Sequence, residues 1–386
     1  MIRNLWVVIA LFCVFVSCGN KEKVGIVFSK GIEENHSINT FSKDLIMNSY
    51  VDTVSFILLD DSKEESLLKD INKCIIKNNR IYILDFFGTE LVKVFDLSGK
   101  FLFMVGAKGG GPGEFFRTFD FDVNDNGVFL LDVRNRKIIE YDLNGLFREE
   151  YNYNDKLSGI NSFIVTNQSN FLLSMSQDAY PEAKVLLVDK KFNIIQKVLA
   201  FNKTETKELL RIGSFRRCGE NIVYHYPISD DIYLFEQSGE ISAKYTLSLN
   251  EKPIDDDIKS NYRKVVSERS SGQFNYFHEV PFFNGTMLLT TMFYGSNKAL
   301  FCLDMKEHKY AIESYEGILE LFTKLSIKNF NFPVYIDENR VICALNQLVY
   351  DRMKEKDAVD ESSLKSLSEG ATMLIVYHLK QKKDVL

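Results

Sequence analysis

The chain has 386 residues, 45% of them apolar and 13% aromatic, which is enough to build one large all-β domain or two ordinary domains. Its 31 Phe and 18 Tyr favour half-buried strands, and its content of only six prolines argues against a disordered or linker-rich chain. The mild formal net charge of −6 argues against nucleic acid as a partner, because such binding needs a basic surface.

The N-terminal segment predicts export. Arg3 precedes an uninterrupted apolar run, Leu5–Val16, which is too short to span a bilayer comfortably but has the length of a signal-peptide core. The next residues, FVSCGN, resemble a bacterial lipobox, with Phe15 where leucine is usual. The resemblance implies cleavage after Ser17, acylation of Cys18 and attachment of a Gram-negative envelope protein to a membrane through this N-terminal lipid. A plain secretory signal or a short uncleaved anchor is the alternative.

Residues after this signal are mostly polar up to about residue 45. We therefore divide the chain into a signal peptide at residues 1–17, a tether at 18–45 and a folded domain at 46–386.

Short apolar segments recur through the folded domain, each ending in an acidic residue and a turn. The first four of these acids are Asp96, Asp142, Asp189 and Glu236, with spacings of 46, 47 and 47 residues. Such a period indicates a repeat architecture, and turns such as DLSG, DLNG and EQSG are typical of β-hairpins. About four short strands in each unit correspond to one blade of a β-propeller.

Two further units end at Asp304 and near His378, which gives six blades. Residues 251–277 and 347–370 have helical spacing and polar character, so both are predicted helical insertions. The apolar stretch Ser49–Asp60 precedes the first blade, and we predict that it pairs as the outer strand of the last blade, closing the ring. The predicted fold is thus an all-β, six-bladed β-propeller with short helical insertions.

Residues 109–147 resemble an NHL-type repeat, with a Gly-rich turn, a strand, the Asn135–Arg136 pair and an apolar–acid–X–Gly turn. The chain from about Tyr50 resembles the six-bladed β-propeller lipoproteins of Bacteroidetes. This resemblance implies a protein that is lipid-anchored to the outer membrane.

The Gly-rich stretch suggests either a phosphate loop or a link between blades. Lys108 precedes the glycines, and a strand-like segment rather than a helix follows them, so a phosphate loop is disfavoured. We predict a structural turn between blades, with Phe115 and Phe116 in the inter-blade core. The turn residues are Gly109, Gly110, Gly111, Pro112, Gly113 and Glu114.

Candidate binding residues follow from the repeat. Asp85 and Asp132 end equivalent strands, interpreted as inner strands, and Tyr226 is their counterpart in the fourth unit. We expect these positions near one mouth of the central channel, where convergent polar groups would form a ligand site. The alternative is that each aspartate accepts hydrogen bonds from its own turn.

The remaining reactive side chains show no pattern of catalysis or metal binding. The histidines, His36, His225, His278, His308 and His378, have no ligand spacing, so we expect isolated residues, no metal site and no cofactor. Cys74, Cys218, Cys302 and Cys343 are expected to be free thiols. The segment from Asp122 to Gly127 begins like a calcium loop but has Val133 where the bidentate Glu is needed, so a hairpin turn is predicted. We find no motif for nucleophilic catalysis and assign no catalytic residue.

These observations lead to two hypotheses. The first is an envelope propeller that binds a glycan, peptide or protein partner and has no catalytic site. The alternative is a propeller-type hydrolase or lyase with its active site at the mouth of the central channel, since one fold supports many functions.

Overall fold

Six β-sheets are arranged as the blades of a propeller in the computed structural model, which describes residues 28–39, 50–202, 205, 213–314, 333–345 and 372–380. The first strands of successive blades contact one another around the ring, and the first strand of the sixth blade contacts that of the first. The predicted six-bladed architecture is confirmed.

The strands and helices of the described residues are as follows. Before blade I lie β1 (Phe28–Ile38) and β2 (Val51–Leu58). Blade I contains β3 (Lys73–Lys77), β4 (Arg80–Leu84), β5 (Val92–Asp96) and β6 (Phe101–Val105). The link to blade II contains β7 (Ala107–Lys108) and β8 (Glu114–Phe115). Blade II contains β9 (Asp120–Val123), β10 (Val128–Asp132), β11 (Lys137–Tyr141) and β12 (Phe147–Asn152). Blade III contains β13 (Ile160–Val165), β14 (Phe171–Met175), β15 (Val185–Val188) and β16 (Ile194–Leu199). Blade IV contains β17 (Phe215–Cys218), β18 (Asn221–His225), β19 (Asp231–Phe235) and β20 (Ile241–Leu249). The helices α1 (Asp256–Lys259) and α2 (Tyr262–Glu268) follow. Blade V contains β21 (Tyr276–Phe277), β22 (Phe282–Phe283), β23 (Met287–Tyr294), β24 (Asn297–Asp304) and β25 (Lys309–Ser314). Blade VI contains β26 (Pro333–Ile336), β27 (Arg340–Leu345) and β28 (Met373–Leu379).

The repeated acid of the sequence period closes the turn between the third and fourth strands of a blade. In blade I, Asp96 Oδ1 accepts hydrogen bonds from Ser98 N at 2.8 Å and Lys100 N at 3.0 Å. Gly99 has a φ of +91°, which a residue with a side chain rarely adopts. Because the acid and the glycine that form each turn are close together in the sequence, the period of the blades can be recognised from the sequence.

The ring is closed by a strand from the N-terminal side of the chain. β2 pairs antiparallel with β28, with Val54 opposite Tyr377 and Ile57 opposite Leu374. The prediction that Ser49–Asp60 supplies the outer strand of the last blade is confirmed. This pairing covers an edge of blade VI that would otherwise be open to another chain.

The predicted tether, residues 18–45, needs a correction. Within it, β1 is a parallel fifth strand on the outer edge of blade IV, with Glu33 opposite Lys244 and His36 opposite Leu247. His36 and Ile38 are buried, whereas the residues between and beside them are exposed. The edge of β20 forms hydrogen bonds with the backbone of this segment, and the buried side chains of His36 and Ile38 help to hold a strand that is mostly polar.

The predicted helical insertion between blades IV and V is confirmed by α1 and α2. The second predicted insertion, at 347–370, and the proposed lipid attachment site, Cys18, lie outside the described residues. Within the described ranges, no helix is long and apolar enough to cross a bilayer. The four cysteines of these ranges, Cys74, Cys218, Cys302 and Cys343, are buried thiols that form no disulfide bond, as predicted.

Candidate functional site

The central channel is lined by the first strand of each blade and has two ends. The upper end is the one with the links between blades and the loops between second and third strands. The lower end has the turns between first and second strands and between third and fourth strands. In the upper half, Lys73 Nζ of blade I donates to Asp120 Oδ1 of blade II at 2.7 Å. Ser162 of blade III donates to Asp120 Oδ2 at 2.7 Å, and its hydroxyl accepts from Phe215 N of blade IV at 3.3 Å. Side chains therefore join four consecutive first strands.

A second polar row crosses the channel below the first. Arg217 of blade IV donates from Nε and Nη2 to the two carboxylate oxygens of Asp122 of blade II, at 3.0 and 2.7 Å. Asp122 also accepts from Val165 N of blade III at 2.9 Å. Asp120 and Asp122 are fully buried, so these charges are compensated by partners rather than by water. The channel is filled by paired side chains along this side.

A cavity of about 370 Å³ lies at the lower end, between the turns of blades I, IV and VI. Ile75, Leu97 and Tyr335 give it an apolar part. Its amide groups come from Asn78, Asn79 and Asn339, which lie in the turns between the first and second strands of blades I and VI. The cavity thus combines apolar surface with neutral donors and acceptors.

Most of the charged groups at this cavity are paired, and Glu338 also lines it. Lys77 Nζ lies 3.1 Å from Asp125 Oδ1 and 3.3 Å from Glu220 Oε1, which come from blades II and IV. Arg340 donates to Asp337 from Nε and Nη2, at 3.0 and 2.6 Å. A ligand in the cavity would therefore meet charge pairs that present both donors and acceptors.

The predicted channel-mouth residues Asp85 and Asp132 lie at the upper end, but where second strands end rather than on the innermost strands. This placement is a correction, and it follows from the order of strands in each sheet. Asp85 Oδ2 accepts from Thr89 N at 3.1 Å, and Asp85 Oδ1 accepts from Asp70 N at 3.2 Å. Asp132 accepts from Phe116 N at 2.7 Å and from Arg134 N at 3.1 Å. The bonds from Thr89 and Arg134 lie within each aspartate's own turn, as the capping interpretation predicts, whereas Asp70 and Phe116 belong to the segments that lead into the blades. Both carboxylates are buried.

The third predicted binding residue, Tyr226, follows the second strand of blade IV and does not meet the two aspartates. It is 1% exposed and contacts Phe201 edge to face, with ring centroids 5.5 Å apart. Burial raises the pKa of its hydroxyl, and the nearby Glu205 raises it further. The structure therefore places Tyr226 in the core between blades III and IV.

The glycine-rich stretch links blades I and II, as its sequence context predicts, and β8 and β9 rather than a helix follow it. Glu114 Oε2 accepts from Gly111 N at 2.7 Å, and Gly113 has a φ of +72°. Phe115 is fully buried, but Phe116 is 48% exposed, so the expectation that both rings enter the core is wrong for Phe116. Phe116 N bonds to Asp132, and that register turns its ring outward.

Two exposed rings lie at the upper end, one against an arginine and the other against a buried ring that contacts an arginine. Phe87 is 61% exposed and contacts Phe86, whose ring centroid lies 3.8 Å from the guanidinium carbon of Arg117. The Phe116 ring is covered by Arg134, at 3.6 Å. Such arginine–aromatic contacts stabilise exposed rings and are common in binding surfaces. We call this surface, defined by Phe87, Phe116 and Arg134, the upper aromatic face.

Sequence reasoning missed the charged residues of the channel. The available signal was the presence of charges inside strand-length apolar runs, DFDV at 120–123 and FRRC at 215–218. A charge in a buried strand needs a partner, so both runs indicate a polar contact across the channel. The identity of each partner depends on the order of blades around the ring.

Comparisons with known proteins agree with the fold. Residues 32–372 match the family DUF4934, a domain of unknown function. A Bacteroides fragilis NCTC 9343 protein described as exported has a similar crystal structure, with a TM-score of 0.71 and 18% identity over 90% of this chain and 100% of that chain. A DUF4221 member from Bacteroides vulgatus is similar with a TM-score of 0.52 and 10% identity, over 86% and 97% of the two chains. No curated protein matches the sequence. Because the family match covers most of its length, this chain belongs to the DUF4934 family.

Proposed function

We propose that the protein is a lipid-anchored propeller of the cell envelope that binds a small, polar, uncharged ligand, such as the end of a glycan, in the cavity at the lower end of its channel. The signal-like N-terminus and the lipobox-like FVSCGN support the location. Similarity to an exported Bacteroides protein also supports it. In this proposal Cys18 holds the protein at the outer membrane.

The observation that carries the proposal is the cavity at the channel mouth. Its volume of about 370 Å³ lies near the low end of the range for ligand pockets, roughly 300–1,000 Å³. Its amides and internal charge pairs offer donors and acceptors without a large net charge, which suits hydroxyl groups. Ile75, Leu97 and Tyr335 offer apolar surface for the faces of a sugar ring.

The test is a glycan array probed with the full-length chain in detergent, followed by titration of each hit. The double variant Leu97→Ala/Asn339→Ala removes one apolar and one amide group from exposed turns, and should weaken binding at least about tenfold, or roughly 1.4 kcal/mol. The matched control, Phe87→Ala at the opposite end, should bind normally. Unchanged binding by the double variant would refute the cavity as the site.

A second candidate is a partner protein that docks on the upper aromatic face. It is favoured by the exposure of Phe87 and Phe116, because aromatic residues and arginine are enriched at protein interfaces. Cross-linking in intact cells, compared between the wild type and Phe87→Ala/Phe116→Ala, tests it. Loss of a specific cross-linked protein only in the double variant would favour this face.

The alternative of a hydrolase or lyase would also use the lower cavity. Lys77 is paired with Glu220 and Arg340 with Asp337, and the carboxylate of Glu338 also lines the cavity. The wild type and Leu97→Ala/Asn339→Ala are assayed on a panel of glycosides and lactones. Turnover by the wild type that is lost in the double variant would show that the function is catalysis rather than binding.

A further inference from the structure

Two histidines and a glutamate meet where the outer strand of blade IV approaches blade V. Glu34 and His36 are two residues apart on β1, so their side chains leave the same face of the strand. His308 ends the turn between β24 and β25, far away in the sequence. The histidines were expected to be isolated, and for His36 and His308 this is wrong: their rings stack with centroids 5.3 Å apart.

The ligand atoms of these three residues converge. One carboxylate oxygen of Glu34 and one ring nitrogen from each histidine all lie within 4.8 Å of one another. His36 Nε2 is 3.3 Å from Glu34 Oε2. Two ligand atoms at about 2.0–2.1 Å from a tetrahedral zinc ion are about 3.3 Å apart, so this pair is already spaced as a pair of ligands.

His36 is the unusual member of the group. Its side chain is 7% exposed, and its Nε2 forms no hydrogen bond of good geometry with the described residues. A buried polar atom without a partner is costly and calls for a reason, which a bound ion would supply. His308 is exposed, so its side chain can rotate inward and still leave one side of the group open to water.

We propose that Glu34, His36 and His308 bind a divalent transition-metal ion of the zinc class, which fastens strand β1 to blade V. Two imidazoles and one carboxylate are donors that suit Zn²⁺, with water as the fourth ligand. This inference is independent of the ligand proposed for the lower cavity.

The structural consequence is that the ion would hold β1, the first described strand after the proposed lipid anchor, against blade V. β1 pairs with one neighbour, β20, and its C-terminal end reaches blade V through Asn39, whose N donates to the Tyr310 hydroxyl at 2.7 Å. A metal ion bound by His36 and His308 would add a second link to blade V. Because the three ligands converge only in the folded chain, bound metal stabilises the folded state by mass action.

The experiment uses the full-length chain in detergent, stripped of metal with EDTA and titrated with ZnCl₂ by calorimetry. We expect one Zn²⁺ per chain and a rise in Tm of roughly 3–5 °C at saturating metal. His308→Ala, at an exposed position, should weaken Zn²⁺ binding at least tenfold and abolish the rise in Tm. Co²⁺ should give visible absorption of a four-coordinate nitrogen and oxygen site in the wild type and not in His308→Ala.

Two controls keep the result specific. Glu33→Gln changes the neighbouring acid on β1, and His378→Ala removes a histidine on blade VI, and both should bind Zn²⁺ as the wild type does. The proposal is overturned if the wild type binds no Zn²⁺, if His308→Ala binds as tightly as the wild type, or if the controls lose binding equally.

Discussion

Two parts of the channel wall are built differently. The first strands of blades I to IV are joined by Lys73, Asp120, Ser162, Asp122 and Arg217, which bond to one another across blade boundaries. The first strands of blades V and VI, including Phe282–Phe283 and Pro333–Ile336, contain no charged residue. One side of the ring is held by hydrogen bonds of defined direction, and the other by non-directional apolar packing.

The two sides of the wall also bear on where a ligand can enter. Paired charges fill the upper part of the channel on the polar side, since Asp120 and Asp122 already have their partners. The cavity lies at the lower end, between Ile75 of blade I, Glu220 of blade IV and Tyr335 of blade VI, with Arg217 in its lining. The polar side thus fixes the ring, and both sides contribute to the cavity.

The largest effect is expected on the polar side, from Asp122→Ala. This change leaves the Arg217 guanidinium buried beside an unpaired Val165 N–H, so the free energy of unfolding should fall by about 3–5 kcal/mol. Chemical denaturation measures the change. Asp125→Ala, which removes an exposed partner of Lys77, should cost no more than about 1 kcal/mol. If both variants lost the same unfolding free energy, the buried pair of Asp122 and Arg217 would contribute no more than an exposed ion pair.

An intermediate effect is expected at the ring closure, from Gly99→Ala. A Cβ at this position would lie 2.0 Å from Leu58 O at the end of β2, and the φ of +91° is unfavourable for alanine. The variant should lose about 1–3 kcal/mol of unfolding free energy. Gly110→Ala is the matched control, because its Cβ would meet nothing within 4 Å, and its stability should change by less than about 0.5 kcal/mol. An unchanged unfolding free energy in Gly99→Ala would mean that the end of β2 is not in tight contact with this turn of blade I.

The smallest effect concerns the half-exposed pair formed by Glu279 and Lys298 in blade V, with Oε1 and Nζ 2.8 Å apart. Burial raises the pKa of Glu279, but attraction to Lys298, the hydrogen bond from Lys298 and the nearby His278 and Arg216 together outweigh burial and hold the pKa at about 2. Its folded pKa is thus below its unfolded value of about 4.3, so the stabilisation is complete above that value and is lost as the pH falls toward 2.

Glu279→Gln should therefore reduce the unfolding free energy at pH 7 by about 1 kcal/mol, after allowance for solvent screening. The difference from the wild type should shrink between pH 4.5 and pH 3. Denaturation series at these pH values measure it, and a difference independent of pH would contradict the assignment to charge.

Features that depend on neighbouring residues could be predicted from the sequence. Asp96 and Gly99 belong to a turn whose hydrogen bonds are internal, so the period of the blades can be predicted from such turns. The closure by β2 could be predicted because the open edge of the last blade needs a partner strand, and the apolar stretch before the first blade can supply it. The helices between blades IV and V followed from their spacing.

Features that depend on the order of blades could not be predicted. Arg217 meets Asp122 across the channel, and His36 meets His308 across a blade boundary, and neither pair shares a local motif. Asp132 was placed near the right loops, but its hydrogen bond to Phe116 N was invisible in the sequence. The polarity of β1 concealed a strand, because an added outer strand needs few inward side chains.

The pairing of β2 with β28 also fixes the timing of assembly. β2 is synthesised before all the strands of blades I to VI, and its partner, Met373–Leu379, is synthesised after the other described strands. The growing polypeptide therefore carries an unpaired β2 strand, and the last blade can be completed only after residue 379 has been added. Contacts between such distant segments form slowly, so a chaperone that shields residues 51–58 during this interval would raise the yield of folded protein.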